Sequence, residues 1–214
     1  VTPTAPWNTG DHERDWDGYF IPGTQVLRNR VGASTVQQLH DAETDLSEVR
    51  LLELREKPGL VAPRSYDLSH LSAIHRHLFQ DVYEWAGSLR TVGTEKWGES
   101  FCPPANIQQA MHHVAMEIAD SKQLRTVPRD KLPKRIAYLY DYVNYAHPFR
   151  EGNGRTTREF FDQLLAEQSL GLDWSLTASE ELYQACHAAR ANSDLSGLVD
   201  MFTRILDDCP AYNF

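Results

Sequence analysis

His147-Pro148-Phe149-Arg150-Glu151-Gly152-Asn153-Gly154-Arg155, with Arg158 three residues further on, is the stretch that decides how this chain is read. Proline disfavours helical geometry in the residue before it, so a helix running into His147 must stop there. Upstream, Leu132, Ile136, Leu139, Tyr140 and Val143 keep the helical period and predict a helix from Lys131 to Ala146. Downstream, Phe160, Phe161, Leu164 and Leu165 give an apolar face to a helix that resumes near Arg155 and is expected to end at Gly171. The stretch is therefore a loop between two core helices. Its Gly152-Asn153-Gly154 segment can turn successive backbone N–H groups inward at the positive end of the second helix, which is a cradle for phosphate.

Working outward, Ser34 and Thr35 are placed to cap a helix toward Glu56, with Val36, Leu39, Leu46, Val49 and Leu52 as its apolar stripe and Lys57-Pro58-Gly59 as its stop. A second helix from Asp67 to about Val82 carries Leu68, Leu71, Ile74, Leu78 and Val82. Between Arg90 and Phe101 the helical period disappears, and the pattern reads as a short β-hairpin with Glu95, Lys96 and Trp97 at its tip. Helices follow from Asn106 to Lys122, from the capping box Thr177-Ala178-Ser179-Glu180 to Arg190, and through Leu195 to Leu206. The fold class is mainly α with one small hairpin, in a single domain over 19–214. Residues 1–18, with Pro3, Pro6, Gly10 and Gly18 among charges, read as an extended arm.

Composition narrows the classes. A chain of 214 residues with 41% hydrophobic and 24% charged side chains is long enough for a real core and has no apolar run of membrane-spanning length. A net charge of −9 argues against a general nucleic-acid binder, so an anionic ligand must be drawn by local charge. Cys102, Cys186 and Cys209 lack Cys-x-x-Cys spacing, and a reducing cytoplasm is the natural compartment.

The loop carries the residue types that nucleotide chemistry needs. His147 offers an imidazole able to take a proton from a hydroxyl, against the plainer reading of a helix-end histidine bonded to a carbonyl. Glu151 is a hard oxygen donor suited to Mg²⁺ shared with phosphates, or else a complement to the helix N-terminus. Arg155 and Arg158, three apart, share a helix face and suit a phosphate clamp; two bare cations at a helix N-terminus are otherwise unfavourable. His75-Arg76-His77 and His112-His113 lack metal-ligand spacing and read as structural or surface residues. Arg150 receives no role.

These residues match His-Pro-Phe-x-Asp/Glu-Gly-Asn-Gly/Lys-Arg at every fixed position, and the chain resembles the Fic family. The similarity runs from Tyr19-Phe20-Ile21-Pro22-Gly23-Thr24 through Trp85-Ala86-Gly87 to Ala191-Asn192-Ser193-Asp194. The resemblance implies a helical Fic domain whose hairpin is a flap over the active-site loop, holding the target segment through Thr94, Glu95, Lys96 and Trp97. It implies transfer of AMP from ATP, with Mg²⁺, to a Tyr, Thr or Ser hydroxyl of a target protein. His147 would be the base and Glu151 the metal ligand. Phe149, Gly152, Asn153, Gly154, Arg155 and Arg158 would form the ATP and phosphate site, and Asn192 would lie near the adenine, helix capping being its alternative role.

Many relatives carry an inhibitory Ser/Thr-x-x-x-Glu-Gly/Asn helix. In this sequence only Glu151 precedes Gly or Asn, and His147 stands four residues before it. The expectation is then a toxin-type bacterial protein restrained by a separate small antitoxin, with a type II topoisomerase subunit or a GTPase as target, or a piece of a longer effector delivered into a host cell. The Doc branch, whose members are kinases, has Lys where this chain has Gly154. A Doc-like kinase, other nucleotidyl or phosphocholine transferases, and a catalytically silent nucleotide-binding regulator are the alternatives.

Overall fold

The computed structural model describes residues 5–96 and 98–212. In chain order the elements are α1 (His12–Gly18), α2 (Val36–Glu56), α3 (Leu68–Phe79), the hairpin β1 (Glu95–Lys96) and β2 (Glu99–Ser100), α4 (Ile107–Asp120), α5 (Leu132–Ala146), α6 (Asn153–Ala166), β3 (Gly171–Leu172), α7 (Ser179–Asn192), α8 (Ser196–Ile205) and β4 (Leu206–Asp207). Among the described residues the fold is helical, with two small antiparallel strand pairs, β1 with β2 and β3 with β4. α5 is central, packing against α4, α6, α7 and α8, while α3 bridges α2 and α6. Among the described residues no helix is long and apolar enough to cross a membrane.

Caps set several boundaries where local chemistry predicts them. Thr35 accepts from the Gln38 N–H at 3.2 Å and opens α2; Asp67 accepts from the Ser69 and His70 N–H groups and opens α3. Residues 5–18, expected as an extended arm, are packed. Asp11 caps α1, Asp15 is buried and accepts from Thr9, and the Trp7 ring stacks on Tyr19 at 5.9 Å. A Cβ at Gly18 would meet the Pro6 carbonyl oxygen at 2.0 Å, so the arm's own glycine permits the packing.

Three other expectations are corrected. Gly171 does not end α6, which stops at Ala166. It lies in β3, where the Cys209 carbonyl oxygen would stand 2.3 Å from an added Cβ. The capping box at Thr177 does not form, since Ala178 holds the cap position and the Thr177 hydroxyl donates to Glu181 at 2.9 Å. On α2 the inward face is rotated from the expected stripe: Val36, Val49 and Leu52 are exposed, and the buried residues are Leu39, Glu43, Ser47 and Leu54.

Arg90 joins the hairpin's root to the end of α5. Its side chain is buried and donates to the carbonyls of His147 (2.7 Å), Val92 (2.7 Å), Ala146 (3.3 Å) and Cys102, while its backbone N–H donates to Pro148 at 2.9 Å. Burial holds its guanidinium below the usual arginine value. A lysine cannot reproduce a planar fork that serves four acceptors. Arg90→Lys is expected to cost about 3 kcal/mol through carbonyls left unsatisfied, read as a lowered denaturant midpoint; a loss within experimental error would show that water replaces the fork.

Candidate active site

α5 ends at His147, whose φ of 40° is left-handed and whose N–H closes the helix on Val143 at 3.1 Å. The chain then turns back on itself and restarts as α6 at Asn153. Gly152 sits at φ 83°, and a Cβ there would lie 2.5 Å from the Phe79 ring, so both backbone and space exclude a side chain. Asn153 is buried with both ends of its amide engaged on one residue: the Phe149 N–H donates to Oδ1 at 2.9 Å, and Nδ2 donates to the Phe149 carbonyl at 2.8 Å. Its side chain thus shapes the loop. Phe149 itself is fully buried.

Below the loop lies His75, which sequence reading left as a structural or surface histidine. It is fully buried, and its ring stacks on Phe149 at 3.9 Å and 16°. The Gly87 N–H donates to Nδ1 at 2.7 Å, so Nε2 carries the proton and donates to the Glu151 carbonyl at 2.9 Å. The only signal available in sequence was its place on the buried stripe of α3, between Leu71, Ile74 and Leu78. Its partners lie 12 and 76 residues away.

The loop opens into a cavity of about 1000 Å³. His147, Glu151, Gly152, Asn153, Gly154, Arg155 and Arg158 line its floor; Thr94, Glu95 and Lys96 of the hairpin face Leu182, Tyr183, Cys186, His187 and Arg190 of α7 across it. The Phe101 ring stacks on His147 at 3.7 Å and 14°, setting the imidazole at the hairpin's root. Lys96 Nζ sits 3.6 Å from the centre of the Tyr183 ring, so the hairpin reaches α7 over the cavity. Trp97 lies outside the described residues. Asn192 ends α7, is exposed and is not brought to the cavity wall. Arg150, given no role from sequence, lines the cavity and packs against Trp16, Tyr19 and Phe20 with its guanidinium 4.7–5.6 Å from the ring centres.

Charge in the cavity is arranged for an anion. Arg158 is half-buried above the Trp174 ring at 5.9 Å and makes no ion pair among the described residues. Arg155 presents one edge to the same space. Glu151 is an exposed carboxylate at the cavity's edge, and no cluster of three His, Cys, Asp or Glu occurs among the described residues. A lone carboxylate is the donor set suited to a Mg²⁺ whose remaining ligands are phosphate oxygens and water. Burial, with Arg90 and Lys96 adding like charge against a smaller opposing effect of the Asn144 carbonyl, pushes the His147 imidazole down to about 3. It is therefore neutral throughout the physiological range.

Comparison with known proteins follows the same lines. Residues 65–165 match the model of the Fic/DOC family. The chain is 33% identical over 192 residues to the probable protein adenylyltransferase Fic of Salmonella typhimurium, covering 90% of this chain and 93% of that one. It is 34% identical over 185 residues to the protein adenylyltransferase VbhT of Bartonella schoenbuchensis, covering 86% of this chain but 38% of that longer protein. Among solved structures, BepC of Bartonella tribocorum with bound AMPPNP superposes with a TM-score of 0.83 at 22% identity, over 89% of this chain and 96% of that one, which shows a shared fold.

The buried imidazoles set a pH dependence. His75 and His147 are held to about 3 and His70 to about 4, chiefly by burial. Each binds a proton more readily unfolded, so its contribution is whole above about 6.5 and falls by about 1.4 kcal/mol per pH unit as the medium acidifies toward the folded value. Asp162, pushed up to about 8 by burial beside Glu159, and Glu159, itself raised by burial, run the other way: their contribution is whole below the unfolded carboxylate values and is lost as pH rises through the folded ones. With three imidazoles set against two carboxyls, the urea midpoint is expected to be lower at pH 5 than at pH 7; an equal or higher midpoint at pH 5 would show these rings are not held neutral.

Proposed function

Since the chain belongs to the Fic/DOC family, we propose that it transfers AMP from ATP to a hydroxyl of a target protein through the loop between α5 and α6. The observation that carries this reading is the joining of three features in one cavity: a neutral His147 at the hairpin's root, the open N-terminus of α6, and the cavity-facing edges of Arg155 and Arg158. The named activities of its relatives support the same transfer.

In this mechanism the triphosphate lies along the loop, with backbone N–H groups of Gly154 and its neighbours directed at its oxygens. The target segment pairs with the hairpin edge, where main-chain bonding positions a hydroxyl with little reading of side chains. The hydroxyl oxygen attacks the α-phosphorus, its proton passes to His147, and the bond to the bridging oxygen breaks with release of pyrophosphate. The negative charge of the bound nucleotide favours imidazolium, so it raises the base from its depressed value as the proton arrives. Arg155 and Arg158 stabilise charge on the leaving group. When bound at Glu151, Mg²⁺ offsets phosphate charge and orients the chain of oxygens.

The target hydroxyl belongs to Tyr, Thr or Ser, with a type II topoisomerase subunit or a GTPase as the candidate substrate. In this reading a separate small protein supplies the Ser/Thr-x-x-x-Glu-Gly/Asn restraint on a toxin acting in the bacterial cytoplasm; the motif does not occur within these 214 residues.

The deciding experiment incubates wild type and His147→Ala with Mg²⁺ and a bacterial lysate, using ATP labelled at the α- or the γ-phosphate. Protein is expected to acquire α label and the mass of AMP, falling about 100-fold or more in the variant. Transfer of γ label would mean a kinase, and ATP binding without any label would mean a nucleotide-binding regulator.

A further inference from the structure

Arg155 faces two ways. One edge of its guanidinium lines the cavity beside Gly154 and Arg158. The other is gripped from behind by α2: Nη2 donates to the Glu43 carboxylate, and Nη1 donates to the Ser47 hydroxyl at 2.8 Å and the Glu43 carbonyl at 3.4 Å. The group rests on the Phe79 ring, 4.8 Å from its centre. Glu43 is 6% exposed and Ser47 3%, and the Tyr83 hydroxyl donates to the second carboxylate oxygen of Glu43. Each carboxylate oxygen thus has a donor, one from the base of the active-site helix and one from the tyrosine that follows α3.

A carboxylate in this position demands explanation. Burying an ion is costly unless a partner compensates it, and an apolar side chain at position 43 would continue the face formed by Leu39 and Leu54. The charge instead secures a side chain that, left to itself, has many rotamers. Fixing an arginine before a ligand arrives removes its side-chain ordering cost from the binding step.

We propose that Glu43, with Ser47 and Tyr83 behind it, is the positioning residue for Arg155, holding the guanidinium's free edge toward the phosphates beyond the first so that the site favours a nucleoside di- or triphosphate over a monophosphate. This rests on the nucleotide reading of the cavity. Glu43 touches no substrate and acts through Arg155.

The test compares equilibrium binding of ATP and of AMP, by calorimetry, to wild type, Glu43→Gln, Arg155→Ala and the double variant, with circular dichroism and melting to follow the fold. Glutamine keeps the shape and can still meet Tyr83. Glu43→Gln is expected to weaken ATP binding about tenfold and AMP binding less than about twofold, with little further loss when added to Arg155→Ala. Equal loss for both nucleotides would make Glu43 a general support of the fold and overturn the inference. So would tighter ATP binding, which would make the carboxylate a restraint on Arg155, and so would additive losses in the double variant. Should Glu43→Gln fail to fold, Ser47→Ala removes one anchor without stranding a charge; a selective ATP loss of about threefold is expected, and none would count against the proposal. Wild type that binds neither nucleotide would instead sink the reading of the cavity itself.

Discussion

Everything at the site depends on the reversal of the chain at His147 being held from outside the loop, and the Arg90 guanidinium is what holds it. A left-handed residue at a helix end leaves carbonyls pointing away from any helical partner, and two of these converge with two others on this one side chain. Two belong to the end of α5 and two to the stem of the hairpin. His147 and the hairpin are therefore fixed relative to each other by a single buried cation whose charge is spread over carbonyl dipoles. His75 does the same work from the other side, tying Glu151 to the turn at Gly87 and packing against Phe149.

Two kinds of bond divide the labour in the loop. Short-range ones give it shape: the Asn153 amide closes on Phe149, four residues before it. Long-range ones give it direction, since Arg155 is bonded to a residue 112 positions earlier. α2 turns Glu43 and Ser47 inward beside Leu39 and Leu54 and leaves Val49 and Leu52 exposed.

That division also marks how far the chain could be read unaided. Helix starts at Thr35 and Asp67, the break at Pro148 and the core face of α5 depend on neighbours within a few residues, and they were legible. The signature residues His147, Glu151, Arg155 and Arg158 stand out by type and spacing, and they meet in one cavity. Arg90, His75 and Glu43 do not stand out, because a buried polar residue looks like a surface one until its distant partner is known. Gly171 misled for the same reason: its small size answers to the Cys209 carbonyl, a contact made only when the chain's end returns to pair with β3. The packing of α1 was hidden beneath a composition that reads as a loose terminus.

The two glycines of the turn answer to different masters. At Gly152 the protein's own interior forbids any side chain, whereas a Cβ at Gly154 would meet nothing within 4 Å. Mutational drift at the first position is stopped by folding, before function is ever consulted. At the second the scaffold is indifferent, and only the bound ligand can select what stands there. A lineage could therefore sample new side chains at this one point on the cavity floor without risking the fold, which makes position 154 a natural place for related proteins to part company in the chemistry they perform.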